Sequence, residues 1–369
     1  MDCAPMTLLA TADLPGTGGT FRSQGDDVQC EEVPCSAPGG DGKHWWVQVA
    51  KQDLSTQQCR QAIARAVAVP VELVACAGNR DRRGRCLQWF SIPQEAVEHP
   101  QGLRNAGFQS KVKVRQVIAA VKAIDVVGVE RLRWRARIRG IGGNDGYRKA
   151  TAILDALRRT GLPNYIHPSA FGEDGGLARW GHLLLAGKRL PEAVVRSGTS
   201  PGRCLWAAQA EIFNRYVTAR LAEGLLGRAL PGDRVQTARG EEWLVEDVAH
   251  AQKRLDSWES LVLGPLFGEG MKPAAGVAAE REAALLAALA LDPRAVARLH
   301  GDRRPIRVQP TKTLCDIEGK DLVICCDLPV DAYIGVLMQE VVKETAVAEV
   351  SKPRRLTVRK TERPSEDDD

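Results

Sequence analysis

The chain lacks most of the signatures that would name a metal or a cofactor. Its ten cysteines contain no C-x-x-C pair, and its six histidines stand singly at His44, His99, His167, His182, His250 and His300, so no zinc-binding spacing is present. There is no G-x-G-x-x-G, no P-loop and no H-E-x-x-H, which removes the usual sequence support for nucleotide cofactors and metalloprotease chemistry. No cofactor and no metal are expected. No apolar run approaches the roughly 18 residues of a membrane span, and Asp2 and Asp13 spoil both a signal peptide and an Arg-rich presequence. The expectation is a soluble intracellular protein with reduced thiols, away from membranes, cytoplasmic or in the alternative mitochondrial. Its oligomeric state is not legible.

What is present is length and a mild excess of positive charge. The 369 residues can bury a large core and suit two domains, or one with a sizeable insertion. The 51 Lys and Arg against 46 Asp and Glu leave a net charge of +5, which fits a nucleic-acid partner without requiring one. Residues 15–43 are rich in Gly, Pro and acids, after which HWWVQVA reads as a strand with Trp45 and Trp46 on opposite faces. Ser55 and Gln58 form a capping box, so QQCRQAIARAVAV should be a helix ending near Pro70. LQWFSI reads as a strand, TAILDALRRTG as a helix with a Gly stop, and GLPNYIHPSAFGEDGG as a long loop that could line a site. Residues 185–303 read as helix-rich, KDLVICCDLP as part of a strand pair, AYIGVLMQEVVKE as a helix, and 351–369 as a disordered charged tail.

Two stretches carry charge in a pattern. In RLRWRARIRG, Arg131, Arg133, Arg135, Arg137 and Arg139 alternate with Leu132, Trp134, Ala136 and Ile138, giving a strand with one apolar face and one face of arginine. Five arginines with no acid among them would repel one another unless an anion lay across them, so RNA contact and plain solvation both remain open. In AGNRDRRGRCLQWF, one carboxylate, Asp81, stands among Arg80, Arg82, Arg83 and Arg85, after a Gly turn and before a strand. A solvated loop would suffice for this, as would a site that must hold a polyanion against a carboxylate.

AGNRDRRGRCLQWF, followed about eighty residues later by PNYIHPSAFG, resembles the TruD family of pseudouridine synthases, whose segments read approximately AGxKDRxAxTxQWF and PNYFGxQRFG. LWAAQAEIFNRYVTARL, GDRV and LPVDAYIGVLMQEVV resemble further family segments in the same order, so the likeness runs over roughly residues 15–350. The resemblance implies an α/β (α+β) fold: a pseudouridine-synthase-like mixed, mainly antiparallel sheet with flanking helices and a TruD-type α/β insertion domain. It divides the chain into a first catalytic part at 1–184, the insertion at 185–303, a last catalytic part at 304–350, and the tail at 351–369. It implies conversion of uridine to pseudouridine in structured RNA, tRNA or in the alternative rRNA, without cofactor or metal.

The family's catalytic Asp maps onto Asp81, a carboxylate that would act as nucleophile on a uridine flipped out of its stack. Nearby guanidinium charge would keep it ionised and hold the flanking phosphates. The resemblance also implies substrate contacts from Arg22, Arg80, Arg82, Asn164, Tyr165, Ile166 and Tyr333; Arg83 in the same loop, and Arg133, Arg135 and Arg137 on the arginine face of the alternating strand, are the further candidate RNA contacts. Asn164 could bond the flipped base or only its own loop backbone, and Tyr333 could face the substrate or simply pack. Departures from the pattern accumulate: Arg22 for Lys, Arg80 for Lys, Ile166 for Phe, Ser169-Ala170 for Gln-Arg, and Gln339 for Arg. Two functions therefore stand. One is a pseudouridine synthase; the other is an inactive RNA-binding homologue serving as a ribosome-assembly or structural factor, with an assembly intermediate as partner.

Overall fold

The structure is a computed structural model that describes residues 8–343, apart from 22–24, 37–38, 41, 81, 83, 99–101, 104–111 and 126–127. Arg22, Asp81, Arg83 and the charged tail thus lie outside the described residues. The main sheet has nine strands: β1 (Thr20–Phe21), β2 (Val28–Pro34), β3 (His44–Gln52), β4 (Ala75–Cys76), β5 (Arg85–Pro93), β6 (Val112–Ala120), β7 (Val129–Arg139), β14 (Thr311–Glu318) and β15 (Asp321–Pro329). Their order is β14-β15-β7-β2-β5-β3-β6, with β1 also on β7 and β4 also on β5. Every pairing is antiparallel except β2 with β5, which holds only over Gln29–Glu31 against Arg85–Leu87. That short parallel seam is where the two halves of the sheet meet.

Alternation in β7 decides which way the sheet faces. Leu132, Trp134, Ala136 and Ile138 are at most 6% exposed and share a core with Ala150, Ile153, Leu154 and Leu157 of helix α2 (Asn144–Thr160). The arginines between them take the other face, as the period of two requires. On the far wing, α1 (Thr56–Ala66) starts at the expected capping box, with both Ser55 and Gln58 side chains engaged, and buries Cys59 and Ile63 against Val47, Val49, Phe90 and Ile92.

The segment 185–303 is not helical throughout. It carries a four-stranded sheet, β10-β9-β11-β12, made of β9 (Arg234–Thr237), β10 (Glu242–Leu244), β11 (Ser260–Leu266) and β12 (Asp302–Pro305). Strands this short show too few alternations to be read between helices, although the α/β insertion implied by the family resemblance agrees with them. The helices around them are α3 (Gly176–Leu185), α4 (Glu192–Arg196), α5 (Pro201–Ala222), α6 (Val248–Asp256), α7 (Gly276–Ala288) and α8 (Pro293–Val296). Helix α5 buries Ala207, Ala208, Ile212, Phe213, Tyr216 and Val217, so it is covered around most of its circumference. Through it one apolar core runs from Leu132 and Trp134 to Val235 and Val262. Gly181 of α3 lets the two helices cross closely, since a Cβ there would lie 2.0 Å from the Cys204 carbonyl oxygen. β8 (Leu162–Pro163) and β13 (Arg307–Val308) form a separate ribbon, and α9 (Ile334–Val342) closes the core.

Candidate active site

The loop between β4 and β5 is held from several sides at Arg80. Its N–H donates to Thr56 Oγ1 at 2.9 Å, and that hydroxyl donates to Gln88 Oε1 at 3.1 Å. Gln88 Nε2 in turn donates to the Gly78 carbonyl at 2.9 Å, and Lys51 Nζ donates to the carbonyls of Leu54 at 2.9 Å and Arg80 at 3.4 Å. Gly84, at φ +124°, passes so close to β2 that a Cβ would meet the Val28 carbonyl at 2.7 Å. The loop is therefore fixed at both ends by neighbours that are themselves paired.

The Arg80 side chain points inward. Its Nε lies 2.6 Å from Glu32 Oε1, with side-chain exposures of 7% and 0%. Glu32 Oε2 accepts the Trp89 N–H at 2.7 Å. Burial pushes the Glu32 carboxyl above its ordinary range, while the Arg80 guanidinium and the Trp89 hydrogen bond pull it down. Arg82 and Arg85 are exposed, and among the described residues Arg85 reaches a carboxylate only at 4.0 Å, that of Asp26. The cluster of arginines is thus one buried strut with solvent-facing cations beside it.

Asn164 and Tyr333 meet through a residue the sequence did not single out, Arg304. Its Nη2 donates to Asn164 Oδ1 at 2.9 Å and to the Asp331 carbonyl at 2.6 Å, and its Nη1 lies 3.1 Å from Asp331 Oδ2. The guanidinium also lies 6.0 Å from the Tyr333 ring centroid and 5.6 Å from that of Phe213. Asn164 Nδ2 donates to the Pro305 carbonyl at 3.0 Å and to Asp331 Oδ2 at 3.2 Å, so both ends of its amide are engaged within the protein. Tyr333 is partly exposed and stacks on His167 at 6.2 Å, an approach that needs Gly335, because a Cβ there would come within 2.4 Å of His167 Nε2.

Tyr165 and Ile166 face inward, each 2% exposed. The Tyr165 hydroxyl donates to the Leu8 carbonyl at 3.2 Å, and burial pushes the phenol up to about 12. Ile166 presents almost no surface on which a base could stack. Its backbone is clamped by Asn214 of α5: Oδ1 accepts the Ile166 N–H at 2.8 Å, and Nδ2 donates to the Ile166 carbonyl at 2.8 Å. Asn214 was visible in the sequence only as the Asn of IFNRY. Ala170 is partly buried against the same core, and Gln339 is half-buried on α9.

The arginines of β7 meet acids that their own strand does not carry. Arg131 pairs with Asp327 at 2.8 Å, Arg133 with Glu31 at 3.2 Å, and Arg139 with Asp27 at 2.6 Å. Arg135 and Arg137 share Glu318 at 2.5 Å each, and Arg137 also reaches Asp321 at 3.1 Å. The acids come from β14 (Glu318), from β15 (Asp321 and Asp327), from β2 (Glu31) and from the residue just before β2 (Asp27). Cross-strand pairing supplies what the strand's own sequence lacks. A cleft of about 710 Å³ remains on this face, lined by Arg85, Arg115, Lys113, Arg133 and Arg135 among others. Lys113 and Arg115 have no carboxylate partner among the described residues.

Register relates these features to one another. Leu132 pairs with Glu32 on one side and Leu328 on the other, and directly paired residues share a face. Glu32, and with it Arg80, therefore lies on the helix-covered face of the sheet. Asp331 and Tyr333 follow Leu328 by a few residues, so both groups occupy the same end of the sheet. The arginine cleft opens on the opposite face.

This split mixed sheet, with a clamped loop at its parallel seam, is the fold of a pseudouridine synthase. Over 91% of the chain it matches the crystal structure of a putative tRNA pseudouridine synthase D from Methanosarcina mazei, covering 96% of that chain with a TM-score of 0.68 at 19% identity. The sequence profile described as tRNA pseudouridine synthase D (TruD) matches residues 6–195 and 205–341, and the chain belongs to that family. A tRNA pseudouridine synthase D from Anaeromyxobacter dehalogenans is 33% identical over 345 residues, spanning 92% of this chain and 97% of its own length. One from Thermus thermophilus is 32% identical over 353 residues, spanning 91% of this chain and 92% of its own. Membership places the chain among the isomerases.

Proposed function

We propose that the chain converts a uridine of tRNA to pseudouridine, with Asp81 as the nucleophile. The observation that carries this reading is the clamp on Arg80: its N–H, carbonyl and side chain are all held, which fixes the residue that precedes position 81 beside the seam of the sheet. A uridine flipped out of its stack would meet the carboxylate there. Attack by the carboxylate accompanies cleavage of the bond between ribose and N1. The freed base turns and its C5 displaces the carboxylate from the ribose carbon, after which C5 loses its proton and N1 takes one from solvent, so the atoms balance without a cofactor and the carboxylate is regenerated. Asn164 and Tyr333, organised by Arg304, stand at the same end of the sheet and supply an amide and an aromatic ring for the base. Exposed Arg82, together with Arg83 and Arg22, supplies cations for the flanking phosphates.

The reading as an RNA-binding homologue without turnover, such as a ribosome-assembly factor, draws on one observation. Asn164 spends both ends of its amide inside the protein, and Ile166 is buried, so base contact there requires the Arg304 cluster to exchange partners. Asp81→Asn separates the two readings. The catalytic reading predicts loss of product with tRNA affinity unchanged within a few-fold; binding without product in the parent supports the other.

A further inference from the structure

We propose that Glu32 is a positioning residue for this reaction, acting through Arg80 to set the backbone that carries the nucleophile. The inference rests on the reading of Asp81 given above and adds a residue that the reading does not use. Glu32 sits where the parallel seam ends: β2 and β5 are paired as far as Glu31 and Leu87, and beyond that point the strands separate. In the gap its carboxylate replaces the missing ladder, one oxygen accepting the Trp89 N–H at 2.7 Å and the other lying 2.6 Å from Arg80 Nε. The fork of the sheet and the loop leading to position 81 are therefore tied to one carboxylate.

Packing alone would not call for such a pair. A buried ion pair contributes little to stability compared with apolar residues of similar volume, yet here both partners are withdrawn from solvent where a loop meets the sheet. Arg80 carries a further cost, because Nη2 is buried with no hydrogen-bond partner among the described residues and Nε meets Glu32 as an ion contact only, while Nη1 donates to the Asn79 carbonyl at 3.1 Å. An unpaired buried donor is destabilising, so the guanidinium is kept in place by its charge contact with Glu32 rather than by a full set of hydrogen bonds. Glu32 would thereby fix, through that side chain, the residue whose backbone leads to position 81. Thr56, Gln88 and Lys51 fix the backbone of the same residue from the other side.

The test is single-turnover pseudouridine formation on saturating tRNA, with tRNA affinity and thermal unfolding measured on the same preparations. Glu32→Gln keeps size and one acceptor but removes the charge; it should slow the step by about ten-fold or more, while affinity stays within about two-fold. Arg80→Met should do the same, and the double variant should be no slower than the slower single variant, because the two residues act as one unit. Should Glu32→Gln fail to fold, Arg80→Met alone carries the test. A folded Glu32→Gln that turns over at the parent rate, with Asp81→Asn inactive, overturns the positioning role and leaves the nucleophile reading standing. Independent, multiplying losses in the double variant overturn it too. Turnover by Asp81→Asn defeats the nucleophile reading itself.

Discussion

Asn214→Ala tests whether the loop after β8 is held by one side chain. Asn214 is 2% exposed, and its amide makes two hydrogen bonds of 2.8 Å to the backbone of Ile166, which is itself buried. Truncation leaves a buried N–H and a buried carbonyl without partners, and each such group costs roughly 1–3 kcal/mol. The middle of that range gives a loss of about 4 kcal/mol, a large share of the roughly 5–15 kcal/mol that holds a domain folded. Urea unfolding should show the midpoint falling with the slope unchanged. Asn214→Asp is the control. It still accepts the Ile166 N–H but sets a carboxylate oxygen against the Ile166 carbonyl, so it should be destabilised at neutral pH and recover as acid protonates the side chain. An Ala variant within about 0.5 kcal/mol of the parent, the range of an ordinary surface change, would refute the clamp.

Further outcomes follow from the charges. Arg133→Gln with Arg135→Gln should change the salt dependence of tRNA binding by less than one phosphate contact, a log–log slope of roughly 0.7 to 0.9, because Glu31 and Glu318 already compensate these cations. A change equal to two contacts would show RNA crossing that face. Acid should unfold the protein partly through Glu211: burial opposes ionisation, but hydrogen bonds from His182 and Arg215 hold its carboxyl below its ordinary value of 4.5. A depressed folded pKa contributes stability that is present above about pH 4.5 and is lost as pH falls through the folded value. Glu211→Gln should therefore flatten the acid limb of the stability profile, and an unchanged limb would count against the assignment.

Local pattern made much of this legible, and long-range pairing hid the rest. The capping box of α1, the alternation in β7 and the strand β5 were readable because each is a short-range periodicity. The acids opposite the β7 arginines were not, since Glu31 on β2 and Glu318 on β14 belong to strands distant in the sequence. The motif around Asn164 could be read, but its partner Arg304 is 140 residues away in another strand. Glu32 reads as one acid in a Gly- and acid-rich stretch. Only the fork between β2 and β5 gives it a place.

The most direct measurement of the central claim is release of tritium from tRNA carrying uridine labelled at C5, since isomerisation breaks that C–H bond and binding does not. The parent protein should release label from specific positions of a tRNA, and Asp81→Asn should release none while binding the same tRNA. Tight binding by the parent without release from any tRNA would contradict the account, and so would equal release by the Asn variant.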